Sequence, residues 1–263
     1  MDTITLWAFV ALAAAAILVG FSKSAVSGAN TVSLAIFAAV LPARESTGVL
    51  LPLLIVGDVF AVYNYRRHAD WATLIRLFPA VAAGVVAGTV FMLWADDTAV
   101  RTSIGAILLF MTGVTLWRRR AARKAQEAGK ADEAGKAEKA GEGRGNARLK
   151  AGSYGVLGGF TTMVANAGGP VMSMYLLSAG FRKLGFLGTS AWFFLIVNVA
   201  KVPFSVGLGL IDGDSLLLDA ALVLFVIPGA FLGRAIVDRI NQRLFERLVI
   251  AATVVGGAQL LLR

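Results

Sequence analysis

GFSKSAVSGANTVSLAIF at residues 20–37 and GFTTMVANAGGPVMSMYL at residues 159–176 are two versions of one pattern. Each opens on Gly-Phe, passes through small and hydroxyl-bearing residues to glycine, and ends in an apolar run. Further matches follow in the same order. LIVGD (54–58) answers LIVN (195–198), and FPAVAAG (78–84) answers IPGAFLG (227–233), each of the latter placing proline five residues before glycine. Three thin matches in the same order read as a duplication, with a first repeat at 1–117, a linker at 118–150 and a second repeat at 151–263.

The composition says what solvent these repeats occupy. Hydrophobic residues make up 57% of the chain and charged residues only 16%, with a mean hydropathy of +0.74. A single water-soluble core cannot hide that much apolar surface, so the expected class is an all-α polytopic membrane protein. Runs long enough to cross a bilayer lie near 4–21, 48–64, 72–94, 99–117, 187–210, 215–236 and 243–262. Segments 26–42 and 166–180 are apolar but short, and 150–165 is glycine-rich. Pro52, Pro79, Pro203 and Pro228 fall inside the runs, which packed membrane helices tolerate. The N-terminal run lacks a basic n-region and is expected to be retained as the first helix. The absence of cysteine excludes disulfides and thiolate metal sites.

The net charge of +9 is concentrated. Arg118 to Lys150 holds eleven Lys/Arg and five Asp/Glu, which is +6 of the total. This Ala/Gly/Lys/Glu-rich stretch reads as a cytoplasmic linker obeying the positive-inside rule, and no nucleic-acid partner is expected. With the linker inside an inner cell membrane, the Arg66–Arg67–His68 and Arg182–Lys183 loops also fall inside, while Asp96–Asp97 and IDGD (211–214) fall outside. Arg44, paired in this reading with Glu45, is the exception. Each half has an odd number of crossings: five if the short segments span, three if they form hairpins. The halves are therefore expected to run in opposite directions, as inverted-topology repeats with broken helices near the midplane.

The two Gly-Phe motifs join a long helix to a short segment, so each is expected to break the helix inside the membrane. A break frees backbone N–H groups and presents a half-helix N-terminus, which together form an anion site. Lys23, Ser24, Ser27, Gly28 and Asn30 in the first motif, and Asn166, Gly168 and Gly169 in the second, are the candidate substrate-binding residues there. The alternative is small-residue packing between helices, which enriches the same residue types. A packing seam has no need of Lys23, although that lysine could snorkel to the inner surface. Lys201 in NVAKVPFSVGLG lies mid-span, where a lone ammonium costs about 2.5–3.5 kcal/mol. Asp58 reads as the one carboxylate well inside a span, with Asn198 as its repeat equivalent; lysine partner, proton carrier and packing residue stand as its three roles. Two lysines against one carboxylate leave positive charge that an anionic substrate would balance. His68 is the sole histidine and stands in a basic loop, so a membrane-embedded His-dependent enzyme or metal site lacks its ligands. No cofactor motif is present.

The paired glycine-rich motifs, the stretch from Asp58 to Trp71, the LGTSAW segment from Leu187 to Trp192 and NVAKVP together resemble the TauE/SafE sulfite exporter family. The resemblance implies a cytoplasmic-membrane transporter of small sulfur-containing anions, built of inverted repeats, and brings Thr189 and Ser190 into the candidate set. The first motif departs from the glycine-dense family pattern, having Ser-Lys-Ser-Ala-Val-Ser-Gly at 22–28, which leaves the substrate open. The function expected is therefore a secondary transporter, not an enzyme, exporting sulfite or an organosulfonate. The competing readings are an importer or channel for another small oxyanion, and a membrane-embedded enzyme. Substrate, direction, coupling ion and whether the chain forms a homo-oligomer stay open at this stage.

Overall fold

A computed structural model describes residues 5–24, 30–127, 144–236, 250–251, 254–255 and 257–262. Among these, every regular element is helical: α1 (Leu6–Ser24), α2 (Asn30–Val40), α3 (Ala43–Tyr65), a 3-10 turn (Arg66–His68), α4 (Trp71–Trp94), α5 (Asp97–Glu127), α6 (Arg144–Ala165), α7 (Gly168–Ser178), α8 (Lys183–Gly207) and α9 (Gly213–Ile236). Six helices are long and apolar enough to cross a membrane: α1, α3, α4, α5, α8 and α9. They correspond to the six apolar runs expected before residue 237, and half of the seventh, 243–262, lies outside the described residues. The four internal prolines sit inside α3, α4, α8 and α9, as packed membrane helices allow.

The short segments do not span. α2 and α7 have 11 residues each, about 16 Å of helix against a hydrocarbon core of about 30 Å. Each folds back on its predecessor. Ser33 of α2 donates from Oγ to Ala15 O of α1 at 3.0 Å, and Tyr175 of α7 packs its ring on Tyr154 of α6 with centroids 5.9 Å apart. The glycine-rich 150–165 segment is the C-terminal part of α6. At the linker, α5 continues to Glu127 and α6 begins at Arg144, so both ends of 118–150 are helical.

Helix starts follow from local chemistry. Asp70 caps α4 by accepting the Thr73 N–H at 2.8 Å, and Asp96 accepts the Ala99 N–H at 2.7 Å at the start of α5. Before α9, Asp212 accepts the Ser215 N–H at 2.7 Å while Ser215 Oγ accepts the Asp212 N–H at 2.9 Å, so two donors are satisfied reciprocally. Arg44 does not pair with Glu45 as the sequence suggests. Its guanidinium donates to Met92 O at 2.6 Å and to Ala95 O, and its backbone N–H donates to Asp97 Oδ1 at 3.0 Å. The negative end of the α4 dipole and its unpaired carbonyls hold this cation. Trp71 and Trp94 at the two ends of α4, Trp7 on α1 and Trp117 on α5 are exposed, as aromatic side chains are at a membrane interface.

The packing partners cross between the halves. α1 packs on α9, α4 packs on α6, and α3 packs on α8. Both crossings bring backbones together over glycine. A Cβ at Gly20 would sit 2.0 Å from Val226 O, and one at Gly84 would sit 2.1 Å from Val156 O, so only glycine lets these helices meet so closely. One apolar cluster joins α1, α2 and α3 to α9, and a second joins α4 to α6, α7 and α8. The two meet along α3 and α8, and there the polar residues are buried.

Candidate substrate site

Asp58 is fully buried on α3. Glycine at position 57 makes room beside it: a Cβ there would lie 2.9 Å from Cγ of Lys23, so the lysine stem passes against the α3 backbone. Lys23, in the last turn of α1, then reaches Asp58 Oδ1 with its ammonium at 2.6 Å. The same ammonium lies 4.6 Å from the centroid of the Phe194 ring, a cation–π contact. Asp58 Oδ2 accepts from Nδ2 of Asn198 on α8 at 2.7 Å. Lys23 therefore does not snorkel; its charge stays inside and is met by one carboxylate.

The second break has a different arrangement. Asn166 separates α6 from α7 with φ of 49°, a left-handed conformation that asparagine tolerates better than most residues. Its side chain is used on both sides, donating to Thr47 O at 2.9 Å and accepting from Lys201 at 2.6 Å. Lys201, 1% exposed, also donates to Thr162 O at 2.5 Å. This ammonium rests on the C-terminal carbonyls of α6, where the helix dipole favours a cation. Its hydrogen bonds end on neutral oxygens, so the formal charges of Lys23, Asp58 and Lys201 sum to +1.

A cavity of about 60 Å³ lies between the two breaks. It is lined by Ser22, Lys23, Asn30 and Thr31 from the first, by Thr162, Asn166, Ala167, Gly169 and Pro170 from the second, and by Asp58, Ser190, Phe194 and Asn198 from α3 and α8. That is room for roughly four or five water-sized spheres, enough for a small oxyanion and too little for a nucleotide or a lipid headgroup.

Of the candidate residues, the structure thus brings Lys23, Asn30, Asp58, Asn166, Gly169, Ser190 and Asn198 to one cavity. Lys201 stands behind the lining, holding the second break through Thr162 and Asn166. Thr189 is buried outside the lining and accepts the Asp70 N–H at 3.0 Å, tying α8 to the start of α4. Gly168 is also outside it: a Cβ there would lie 3.0 Å from Cβ of Thr162, so its smallness serves the α6–α7 hairpin. Ser24 ends α1, and Ser27 and Gly28 lie outside the described residues.

Two features escaped the sequence reading. Phe194 and Phe186 line the cavity, and nothing in an apolar run distinguishes a lining phenylalanine from a lipid-facing one. Asp58 is also not the one carboxylate inside a span. Asp219 lies within α9, 3% exposed, with both carboxylate oxygens lacking a hydrogen-bond partner among the described residues. Its place in the 215–236 run was a signal available from sequence.

The chain matches the sulfite exporter TauE/SafE family over residues 12–260 and belongs to that family. No curated protein and no solved structure is a match to it.

Proposed function

We propose that this member of the TauE/SafE family is a secondary transporter of a small anion, exporting sulfite or an organosulfonate, and that the anion binds in the cavity between the two helix breaks. The observation that carries the reading is the cavity lined from both breaks, holding a largely buried ammonium whose counter-charge is one carboxylate. An entering oxyanion competes with Asp58 for Lys23, and the surplus formal charge of Lys201 favours it. A charge-assisted hydrogen bond from Lys23 is about twice as strong as a neutral one. Asp58 is proposed as the lysine's resting partner.

An inverted repeat explains the packing. If α1–α4 correspond to α6–α9, the α1–α9 and α4–α6 contacts are one contact seen twice, and α3–α8 is a self-pair on the two-fold axis. We place the linker on the cytoplasmic side of the inner membrane on the charge bias of the loops. Flux of radiolabelled sulfite, sulfate, thiosulfate and a carboxylate into and out of proteoliposomes, with and without a pH gradient, tests the reading. Sulfite flux above that of protein-free vesicles is expected; no flux of any anion would overturn it.

A further inference from the structure

The cavity presents acceptors as well as a cation. Among the described residues, Asn30 Oδ1 and Asn198 Oδ1 are buried and meet no hydrogen-bond donor, and both residues line the cavity. The orientation of Asn198 is fixed by chemistry: its amide must turn Nδ2 toward Asp58 Oδ2, a carboxylate oxygen that only accepts, and this leaves Oδ1 on the other side. Asn198 is 1% exposed, so an unmet acceptor there carries the full cost of desolvation. Lys23 has the opposite need. Its ammonium has three donors and one oxygen partner among the described residues, Asp58 Oδ1.

A ligand that completes this site must accept from Lys23 and donate to an asparagine oxygen. A fully deprotonated oxyanion can only accept, and would set its own oxygens against the two amide oxygens. Charge points the same way. Lys23, Asp58 and Lys201 sum to +1, so a monoanion brings the cluster to neutrality, while a dianion leaves an uncompensated negative charge in a low-dielectric interior.

Resting on the functional reading above, we propose that the transported species is a singly charged oxyanion that keeps one acidic O–H, the O–H donating to Asn198 or Asn30 while a deprotonated oxygen accepts from Lys23. For sulfite this is hydrogensulfite. Sites built to hydrogen-bond a substrate hydroxyl reject analogues lacking it strongly, because their buried polar groups are left unpaired. The two asparagines then act as specificity residues, and Lys23 as the charged anchor.

Anion-dependent thermal stabilisation of the purified full chain tests the proposal in one mildly acidic buffer, with hydrogensulfite, methanesulfonate and sulfate as probes. Methanesulfonate matches the charge of hydrogensulfite but has no O–H; sulfate is a dianion. The expected result is an apparent Kd for hydrogensulfite at least about tenfold below those of both others, with the preference reduced in Asn30→Ala and in Asn198→Ala. Methanesulfonate binding as tightly as hydrogensulfite overturns the proposal while leaving an anion transporter intact. So does a preference that survives unchanged in both variants. If Asn198→Ala fails to fold, Asn30→Ala and the wild-type comparison still decide. Stabilisation by none of the three probes overturns the functional reading and this inference with it.

Discussion

Asn198 donates to Asp58 across the α3–α8 contact at 2.7 Å, and the two residues end the stretches LIVGD and LIVN. The two stretches thus meet through residues that differ by one functional group, a carboxylate on α3 and an amide on α8. An identical pair of aspartates here would set two negative charges face to face. The substitution of one by asparagine makes the pair a donor and an acceptor, and leaves the carboxylate free to hold Lys23.

Asp58→Asn keeps an acceptor for Asn198 but leaves the Lys23 ammonium without its carboxylate, a loss of about 3–5 kcal/mol when no anion is bound. What it takes away is the counter-charge of Lys23. The expected outcome is a folded protein with stronger anion-dependent stabilisation than wild type, since the anion no longer competes with a carboxylate. Transport driven by a pH gradient should fall if Asp58 takes the proton. A variant whose flux keeps the wild-type response to the gradient would place proton coupling elsewhere.

At the α1–α9 crossing, Gly20→Ala should lower thermal stability by about 1–3 kcal/mol, the usual range for overpacking a tight contact. The added Cβ would meet Val226 O at 2.0 Å, and backbone on both sides has to move. Gly113→Ala is the control, because a Cβ there has nothing within 4 Å and alanine is the better helix former. Unfolding of both variants in detergent should show a clear drop for the first and little change or a small gain for the second. Equal effects would mean that α1 and α9 are not in close contact.

The charge bias of the loops gives opposite exposure to two sites. The chain has no cysteine, so single cysteines at Gly213 and Gly135 can be labelled without background. A membrane-impermeant thiol reagent applied to intact cells should modify the cysteine at 213, and the one at 135 only after the membrane is opened. The reverse pattern would invert the topology of both halves.

Asp219 is expected to be a cost to the fold. Both of its oxygens are buried and have no hydrogen-bond partner among the described residues, and such a group loses its hydration on burial without regaining hydrogen bonds. Asp219→Leu should raise the melting temperature by an amount corresponding to about 1–3 kcal/mol, with flux unchanged. A fall in flux at undiminished stability would instead give this carboxylate a part in transport.

The six spanning helices were legible because hydropathy integrates over about twenty residues and tolerates an isolated polar side chain. The same averaging concealed Asp219, a single charge in the run 215–236. The recurrence of Gly-Phe and its small-residue run at 20 and 159 pointed to where α1 and α6 end. It could not show which lysine faces the cavity. Lys23 stands between serines at the end of an apolar run and Lys201 between apolar residues mid-span, and neither setting says which way the side chain turns. The difference comes from rotation about the helix axes: α1 turns Lys23 toward Asp58, while α8 turns Lys201 toward the end of α6. Arg44 was misread for a related reason, because its partner is a helix terminus about fifty residues away and no local pattern announces it.

The same contrast separates the two lysines in experiment. Lys201→Met removes the donor shared by Thr162 O and Asn166 Oδ1, so the second break should loosen; Thr162 O keeps the Asn166 N–H at 3.1 Å, and the loss is about 1–3 kcal/mol for Asn166 Oδ1 left unpaired. Anion binding should weaken as a consequence of that loosening, and Lys201→Arg should restore part of both. Lys23→Met alone is a poor test, because it strands Asp58 as an unpaired buried charge, a loss of about 3–5 kcal/mol. The double variant Lys23→Met with Asp58→Asn removes both charges at once and keeps an acceptor for Asn198, so it should fold at close to wild-type stability. If Lys23 is the anchor, this folded protein shows no anion-dependent rise in melting temperature, since a ligand stabilises only the state that binds it. A double variant that responds to hydrogensulfite as wild type does would leave Lys23 and Asp58 as a structural pair and move the anion site to the second break.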